Sequence, residues 1–444
     1  MDTSPADTPN AATDRPPAPS LGEALPVWTK IGIISFGGPA GQIALMHREL
    51  VEERGWIGHE RFLHALNFCM LLPGPEAMQL ATYVGWRLNG TLGGIVAGLL
   101  FVLPGAAVVL ALSIAYAWYG QTPVVEAAFL GIKAAVLVIV VDALLKVAKR
   151  ALHGAHAWAI AALAFIAIFL FAVPFPIIVA LSALAGYLLA RIAPESLPET
   201  GTPALDAEPV SHIKTMHTAC LWLAIWIVPL VVASLLFPSV FSDLSVFFSK
   251  LAIVTFGGAY AVLAYMAQQA VETYGWLSAP EMLDGLGLAE TTPGPLILVT
   301  EFVGFLGAYR QGGETALAYG LLGALITLWA TFAPCFLWIF TGAPYVEQLR
   351  ANPKLAGALR GVTAAVVGVI LNLSLWFALH VIFKTVTATD YGPLRLWAPE
   401  LSSFQWDAAL LSVLAAILIF AARLGTLTTL AICAGASLTL SALL

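Results

Sequence analysis

Residues 30–38 read Lys30-Ile-Gly-Ile-Ile-Ser-Phe-Gly-Gly, and residues 250–258 read Lys250-Leu-Ala-Ile-Val-Thr-Phe-Gly-Gly, an offset of 220. The same offset carries Met46 onto Met266, Glu52 onto Glu272, Gly55-Trp56 onto Gly275-Trp276, and Pro73-Gly74-Pro75 onto Pro293-Gly294-Pro295. Further along, Gly131-Ile-Lys-Ala-Ala-Val matches Gly361-Val-Thr-Ala-Ala-Val at an offset of 230. Hydrophobic composition alone does not produce a shared motif order over such a length. The chain is an internal duplication.

Around these motifs the 444 residues are 60% hydrophobic and only 10% charged, with a mean hydropathy of +0.88. Soluble domains run near half apolar and a quarter charged, so an ordinary cytosolic enzyme is excluded. A helix needs ~20 apolar residues to cross the hydrocarbon core. Such stretches occur at 27–46, 62–85, 91–119, 124–147, 157–173, 175–192, 218–238, 244–267, 282–308, 315–341, 355–383, 404–421 and 425–443. The expected fold is an all-α polytopic membrane protein of about thirteen transmembrane helices, with the lipid bilayer as its surroundings.

The expected organisation is a disordered tail at 1–20, a first repeat at 21–192, a Pro-rich linker at 193–217, an extra helix at 218–243 and a second repeat at 244–444. The tail lacks the basic and apolar regions of a signal peptide. With one extra span between them, the repeats enter the membrane from opposite sides, the inverted plan of secondary transporters. Arg87, Lys146, Lys149, Arg150, Arg191, Lys214, Arg350, Lys354, Arg360 and Arg423 then lie inside with the N-terminus, as positive charge prefers. Arg48, Arg54 and Arg61 fall outside and break that rule, so either the first Gly-rich segment is re-entrant or these arginines serve a pore mouth.

The interrupted segments carry the functional reading. Phe-Gly-Gly recurs at Gly37-Gly38 and Gly257-Gly258, and Pro-Gly-Pro recurs in the middle of long apolar runs. Proline lacks an amide hydrogen and glycine accepts backbone angles other residues avoid, so each motif stops one half-helix and starts another. In lipid a freed backbone group costs several kcal/mol unless it is satisfied, and such breaks survive where they line an enclosed cavity. A half-helix starting at Pro75 or Pro295 aims unpaired amides at that cavity, with proline at the first helical position where its missing hydrogen is not needed. A helix N-terminus carries about half a positive charge, which makes this a site for an anion.

Polar neighbours extend the candidate site. Thr291 and Thr292 offer hydroxyls, and Pro39 and Gln42 continue the first Gly-rich segment. Arg48 has the forked donors suited to an oxyanion; an interfacial, snorkelling arginine is the plain alternative. His47 titrates near neutral pH. Glu76 and Glu290 flank the breaks, either as caps of half-helices or as carboxyls that take up a proton. Lys133, Asp142, Glu126 and Glu301 lie in or near apolar spans, where ionisable residues are presumptively functional. Lys133 and Asp142 are nine residues apart, on opposite sides of one helix, so each needs a partner from another helix or a wet cavity. Lys133 would supply a third positive element to a dianion.

Several functions are excluded or disfavoured. Basic residues are scattered singly, without a nucleic-acid footprint, and the net charge of −6 resides mostly in tail and connecting segments. Cys69, Cys220, Cys335 and Cys433 are isolated in apolar runs and read as buried hydrophobes. His153 and His156 lack a third ligand, so no metal site is expected. No HExxH, GxSxG, P-loop or dinucleotide motif appears, so neither a cofactor nor ATP-driven pumping is expected. A membrane-embedded enzyme would need a nucleophile–base pair at one face, and none is visible. A homodimer is allowed, though no feature of the sequence argues for one.

Taken together, Phe36-Gly-Gly-Pro-Ala-Gly-Gln-Ile-Ala-Leu-Met-His-Arg-Glu-Leu-Val, Trp56, and Leu72-Pro-Gly-Pro-Glu-Ala resemble the N-terminal signature of the chromate ion transporter family. The duplicated Phe256-Gly-Gly and Thr292-Pro-Gly-Pro-Leu resemble its C-terminal signature, and the length resembles the family's long-chain, two-domain form. Ala259 departs from the proline that follows the first Gly-Gly. The resemblance implies export of chromate across the bacterial inner membrane and chromate resistance, with the family's motifs at Gly37, Gly38, Pro39, Pro73, Gly74, Pro75, Gly257, Gly258, Pro293, Gly294 and Pro295. Sulfate or a related oxyanion is the alternative substrate, being of nearly the same shape and charge.

Overall fold

Ser20 opens the first helix with a capping box, its hydroxyl accepting from the Glu23 amide while the Glu23 carboxylate accepts from the Ser20 amide. The computed structural model describes residues 19–36, 38–192, 211–256, 259–345 and 353–443. Gly37, Gly257, Gly258 and most of the expected tail and linker lie outside them.

Helix α1 (Leu21–Ile33) has 13 residues and rises about 20 Å, short of the ~30 Å hydrocarbon core. The helix ends before Ser35, and α2 (Gly38–His47) follows, running into a π turn at Arg48–Glu52. Lys30 Nζ stands 2.6 Å from Glu49 Oε1. A straight helix would set these two residues about 28 Å apart. So the chain turns back at the break that follows α1, and the expected span at 27–46 is an open helical hairpin of two short arms.

The next pair repeats the device. Helix α3 (His59–Cys69) leads to the Pro-Gly-Pro break and then α4 (Glu76–Tyr119), whose Asn89 and Gly90 leave helical geometry. Gly85 packs so closely on Gly93 and Ala97 that a Cβ there would stand 2.5 Å from both. The two arms of α4 are therefore antiparallel. Asn89 Nδ2 donates to the Pro19 carbonyl at 2.7 Å, which places this turn at the foot of α1. Phe68 and Tyr83 pack ring to ring at 5.9 Å, so the expected span at 62–85 folds back as a second hairpin.

Long helices follow: α5 (Pro123–Ala151), the shorter α6 (Ala155–Phe169), α7 (Phe175–Ile192) and α8 (His212–Leu236). The earlier pattern then recurs. Helix α9 (Ser239–Val254), a break, α10 (Ala259–Gln268), a π turn at Gln269–Thr273, α11 (Ala279–Thr291), a break, a 3-10 turn at Leu296–Leu298 and α12 (Val299–Tyr309) repeat the first hairpins element for element. Gly55 and Gly275 even share a left-handed φ of 63° and 60°. Helix α13 (Ala316–Gly342) returns antiparallel to α12, with Gly304 against Thr327 and the Gly323 carbonyl.

Helix α14 (Pro353–Ile382), α15 (Trp406–Ala416, extended by a π turn at Ile417–Ala421) and α16 (Thr426–Leu443) complete the helices. An antiparallel hairpin of β1 (Val386–Tyr391) and β2 (Leu394–Pro399), not anticipated from sequence, links α14 to α15. Seven of the described helices are long and apolar enough to cross a membrane, and three more apolar helices are shorter. The two halves interlock through glycines. Gly131 of α5 abuts the Cys433 carbonyl of α16, and Gly186 of α7 abuts Gly357 of α14, each too close to admit a Cβ.

Candidate functional site

The breaks satisfy one another across the duplication. Gly294 N–H donates to the Ser35 carbonyl at 2.8 Å, and Gly74 N–H donates to the Thr255 carbonyl at 2.7 Å. Ser35 and Thr255, like Gly74 and Gly294, are 220 residues apart. Each Pro-Gly-Pro tip thus docks on the Phe-Gly-Gly tip of the other half. Side chains complete the joint. Gln42 Nε2 donates to the Gly294 carbonyl at 2.6 Å, and Gln79 Nε2 donates to the Pro73 carbonyl at 2.7 Å. Backbone freed by glycine and proline inside an apolar protein is paired here, as the low-dielectric setting demands.

Around the crossed tips is a small, partly open crevice, walled by Pro39, Gln42, Pro75, Glu76, Ala77, Ala259, Pro295, Leu296 and Ile297. The amides of Glu76, Ala77 and Met78 precede the first intrahelical bond of α4, Gln79 N–H to the Pro75 carbonyl. Likewise Leu296 and Ile297 precede the Leu298 N–H bond to the Pro295 carbonyl. Such first-turn donors have no acceptor within their helix. Helices α2 and α10 also begin at this crevice, through Pro39 and Ala259. Four helix N-termini face one space, each with about half a positive charge.

Several sequence expectations change on this geometry. The Gly74 and Gly294 amides belong to the joint between tips, so the donors left for a guest are those two to four residues later. Thr291 and Thr292 turn their hydroxyls back to the Leu288 and Ala289 carbonyls at 2.8 and 3.2 Å, closing the end of α11. Arg48 is half exposed and turns towards Glu53 at 3.6 Å, outside the crevice lining. Its place in the π turn sets it at the foot of the hairpin, away from the tip. His47 lies there too, 2.9 Å from Glu52 and 2.8 Å from His59.

Lys133 meets Asp284 of α11 at 3.2 Å, and Tyr116 donates to the same carboxylate at 2.7 Å. Its charge is therefore matched within the protein and is not a third positive element for a guest. Asp142 finds its partner one turn along its own helix, Lys146 at 2.6 Å, and not on another element. Glu76 stands in the crevice wall at the start of α4. Glu290 accepts from Tyr260 at 2.9 Å, while Glu301 is buried in α12 one turn beyond the crevice.

Three groups escaped the sequence reading. Asp284 is the single acid in the run 282–289, a signal equal to that of Lys133. Tyr260 follows directly on the second break. Glu49 is fully buried and holds both Lys30 and Arg54, the latter at 2.7 Å. Burial alone would raise its carboxyl, but the two cations outweigh that and hold it below the ordinary carboxylate range.

Residues 23–187 and 242–439 match the Chromate transporter family, one segment in each half. The chain belongs to the chromate transporter family. It is 32% identical over 377 residues to the "Chromate transport protein" of Pseudomonas aeruginosa, covering 82% of this chain and 83% of that one. It is 30% identical over 381 residues to the "Chromate transport protein" of Cupriavidus metallidurans (84% and 86% covered). The "Probable chromate transport protein" of Synechococcus elongatus is 30% identical over 356 residues (80% and 84% covered). No solved structure matches the chain. Family and apolar helices together make this a multi-pass protein of the bacterial inner membrane.

Proposed function

We propose that this chain exports chromate from the cytoplasm and so confers chromate resistance, holding the dianion where the four helix N-termini converge. The observation that carries this reading is the crevice shared by both Pro-Gly-Pro breaks. An apolar surround with oriented amides suits an oxyanion, which offers only acceptors. The names of the relatives favour chromate over sulfate.

The proposed topology has the hairpins α1–α2 and α3–α4 dipping in from the cytoplasm and returning, and α9–α10 and α11–α12 dipping in from outside. Nine crossings remain among the described residues: the second arm of α4, then α5, α6, α7, α8, α13, α14, α15 and α16. Four belong to each repeat and α8 inverts the second. Arg48, Arg54 and Arg61 then return to the cytoplasmic side, which removes their conflict with the charge rule. An inside-negative potential supplies roughly 2.3 kcal/mol per charge per 100 mV. A dianion driven by about 100 mV therefore gains roughly a thousandfold gradient without ATP.

The test is uptake of radiolabelled chromate into everted vesicles, with sulfate and selenate as competitors and with potential and pH gradient dissipated separately. Uptake that collapses with the potential and resists excess sulfate is expected. Uptake no greater than in vesicles lacking the protein would overturn the reading.

A further inference from the structure

A second, partly open cavity lies at the far end of α10 from the crevice. Helix α10 walls both: Ala259 at its start faces the crevice, and Ala264 and Gln268 face this vestibule. Nine residues separate Ala259 from Gln268, about 14 Å along the helix. The vestibule is roofed by the β1–β2 hairpin, which contributes Arg395 and Trp397.

Arg395 makes the hairpin's polar attachment to the helices, and Trp397 adds a ring contact with His380 of α14 at 5.8 Å. Arg395 Nη1 donates to Glu272 at 2.8 Å across the vestibule, Arg395 Nε donates to Asp390 at 3.0 Å, and the Arg395 amide donates to the Leu170 carbonyl at 2.7 Å. Elsewhere β1 and β2 are largely exposed. Among the described residues the opposite mouth has no such roof. At the repeat offsets, Gln268 and Glu272 correspond to Arg48 and Glu52, and Asn372 and Trp376 correspond to Asp142 and Lys146. The side chains of Glu52 and Lys146 are 60% and 72% exposed, against 22% for Glu272. Among the described residues, the mouth at Glu272 is roofed and the matching positions at the other end are exposed.

We propose that the β1–β2 hairpin is the outer gate of the transport path and that the Arg395–Glu272 pair is its latch. This rests on the transport reading for what passes beneath it. Two partly exposed charges in one pair hold modestly, which suits an element that must release in each cycle.

Two experiments test this. In the first, the exposed Cys220 is replaced by serine and Gln268→Cys is labelled from outside with an impermeant thiol reagent. Releasing the latch with Arg395→Ala should raise the labelling rate at least tenfold. An unchanged rate overturns the gate whatever the substrate proves to be. In the second, Glu272→Cys and Arg395→Cys are joined by a short bis-thiosulfonate linker, because residues paired through a long arginine lie too far apart for a direct disulfide. Linking should abolish chromate transport and a reductant should restore it, while single-cysteine proteins stay insensitive. Full transport by the linked protein overturns the gate and leaves the transport reading standing.

Discussion

The amide of Gly294 donates to the carbonyl of Ser35 at 2.8 Å, joining the Pro-Gly-Pro tip of the second half to the Phe-Gly-Gly tip of the first. Gly74 and Thr255 make the reciprocal bond. A chain that breaks four hairpins inside an apolar core has thus found, in its own other half, the partners that water cannot supply there.

Gly74 and Gly294 adopt φ values of 127° and 89°, in the region side chains avoid. A methyl at Gly74 would stand 2.7 Å from Gln79 Nε2 and 3.1 Å from Cys335 Sγ, and one at Gly294 would stand 2.9 Å from Leu298 Cδ1. Gly74→Ala and Gly294→Ala should each cost about 1–3 kcal/mol and lower transport more than tenfold, with the protein still inserted. Vesicle uptake beside membrane abundance checks this; normal uptake by either variant would count against the joint.

Gln42 is buried and bonds the Gly294 carbonyl at 2.6 Å while walling the crevice. Gln42→Leu leaves that carbonyl short of a donor, at a cost of about 1–3 kcal/mol. Gln42→Glu adds a negative charge where four helix N-termini gather. It should raise the KM for chromate more than Gln42→Leu does. Equal KM values in the two variants would show that charge at this wall is irrelevant.

Lys133→Ala strands the Asp284 carboxylate, which is 6% exposed. Removing one member of a buried pair costs roughly 3–5 kcal/mol. The double variant Lys133→Ala, Asp284→Ala should recover much of that loss in thermal stability in detergent. Losses that simply add would mean the two residues act independently.

Glu49 titrates below the ordinary carboxylate range, so its ion pairs with Lys30 and Arg54 stabilise the fold at neutral pH. That contribution is whole above the unfolded carboxylate pKa and is lost as pH falls through the lower folded value. Tm should drop on acidification in the native protein and drop less in Glu49→Gln, which has nothing there left to lose. A parallel decline in both proteins would contradict it.

Arg48 sits at the foot of its hairpin beside Glu53, so Arg48→Ala should slow transport only a few-fold, mainly at low salt where steering matters. Complete loss in that variant would put Arg48 back in the path.

The duplication, the membrane class and the four breaks were legible because glycine, proline and apolar runs act locally. The fold-back was not. A stretch such as 27–46 has enough apolar length for one crossing, and only the Lys30–Glu49 pair shows it to be two short arms. Partners far apart in sequence were equally hidden: Lys133 and Asp284 meet across 151 residues. The crevice was legible in kind, as helix N-termini at proline breaks. Its donors are first-turn amides of the half-helices, as read, but Gly74 and Gly294 drop out, because the sequence does not show that the glycine amides are spent on the opposite tip.

A structure of the protein saturated with selenate, whose selenium can be located by anomalous scattering, tests the shared crevice most directly. The account predicts one selenium peak between the amides of Glu76–Ala77 and those of Leu296–Ile297, displaced by chromate. A peak beside Arg48 or Arg395 alone, with the crevice empty in protein that transports selenate, would contradict it.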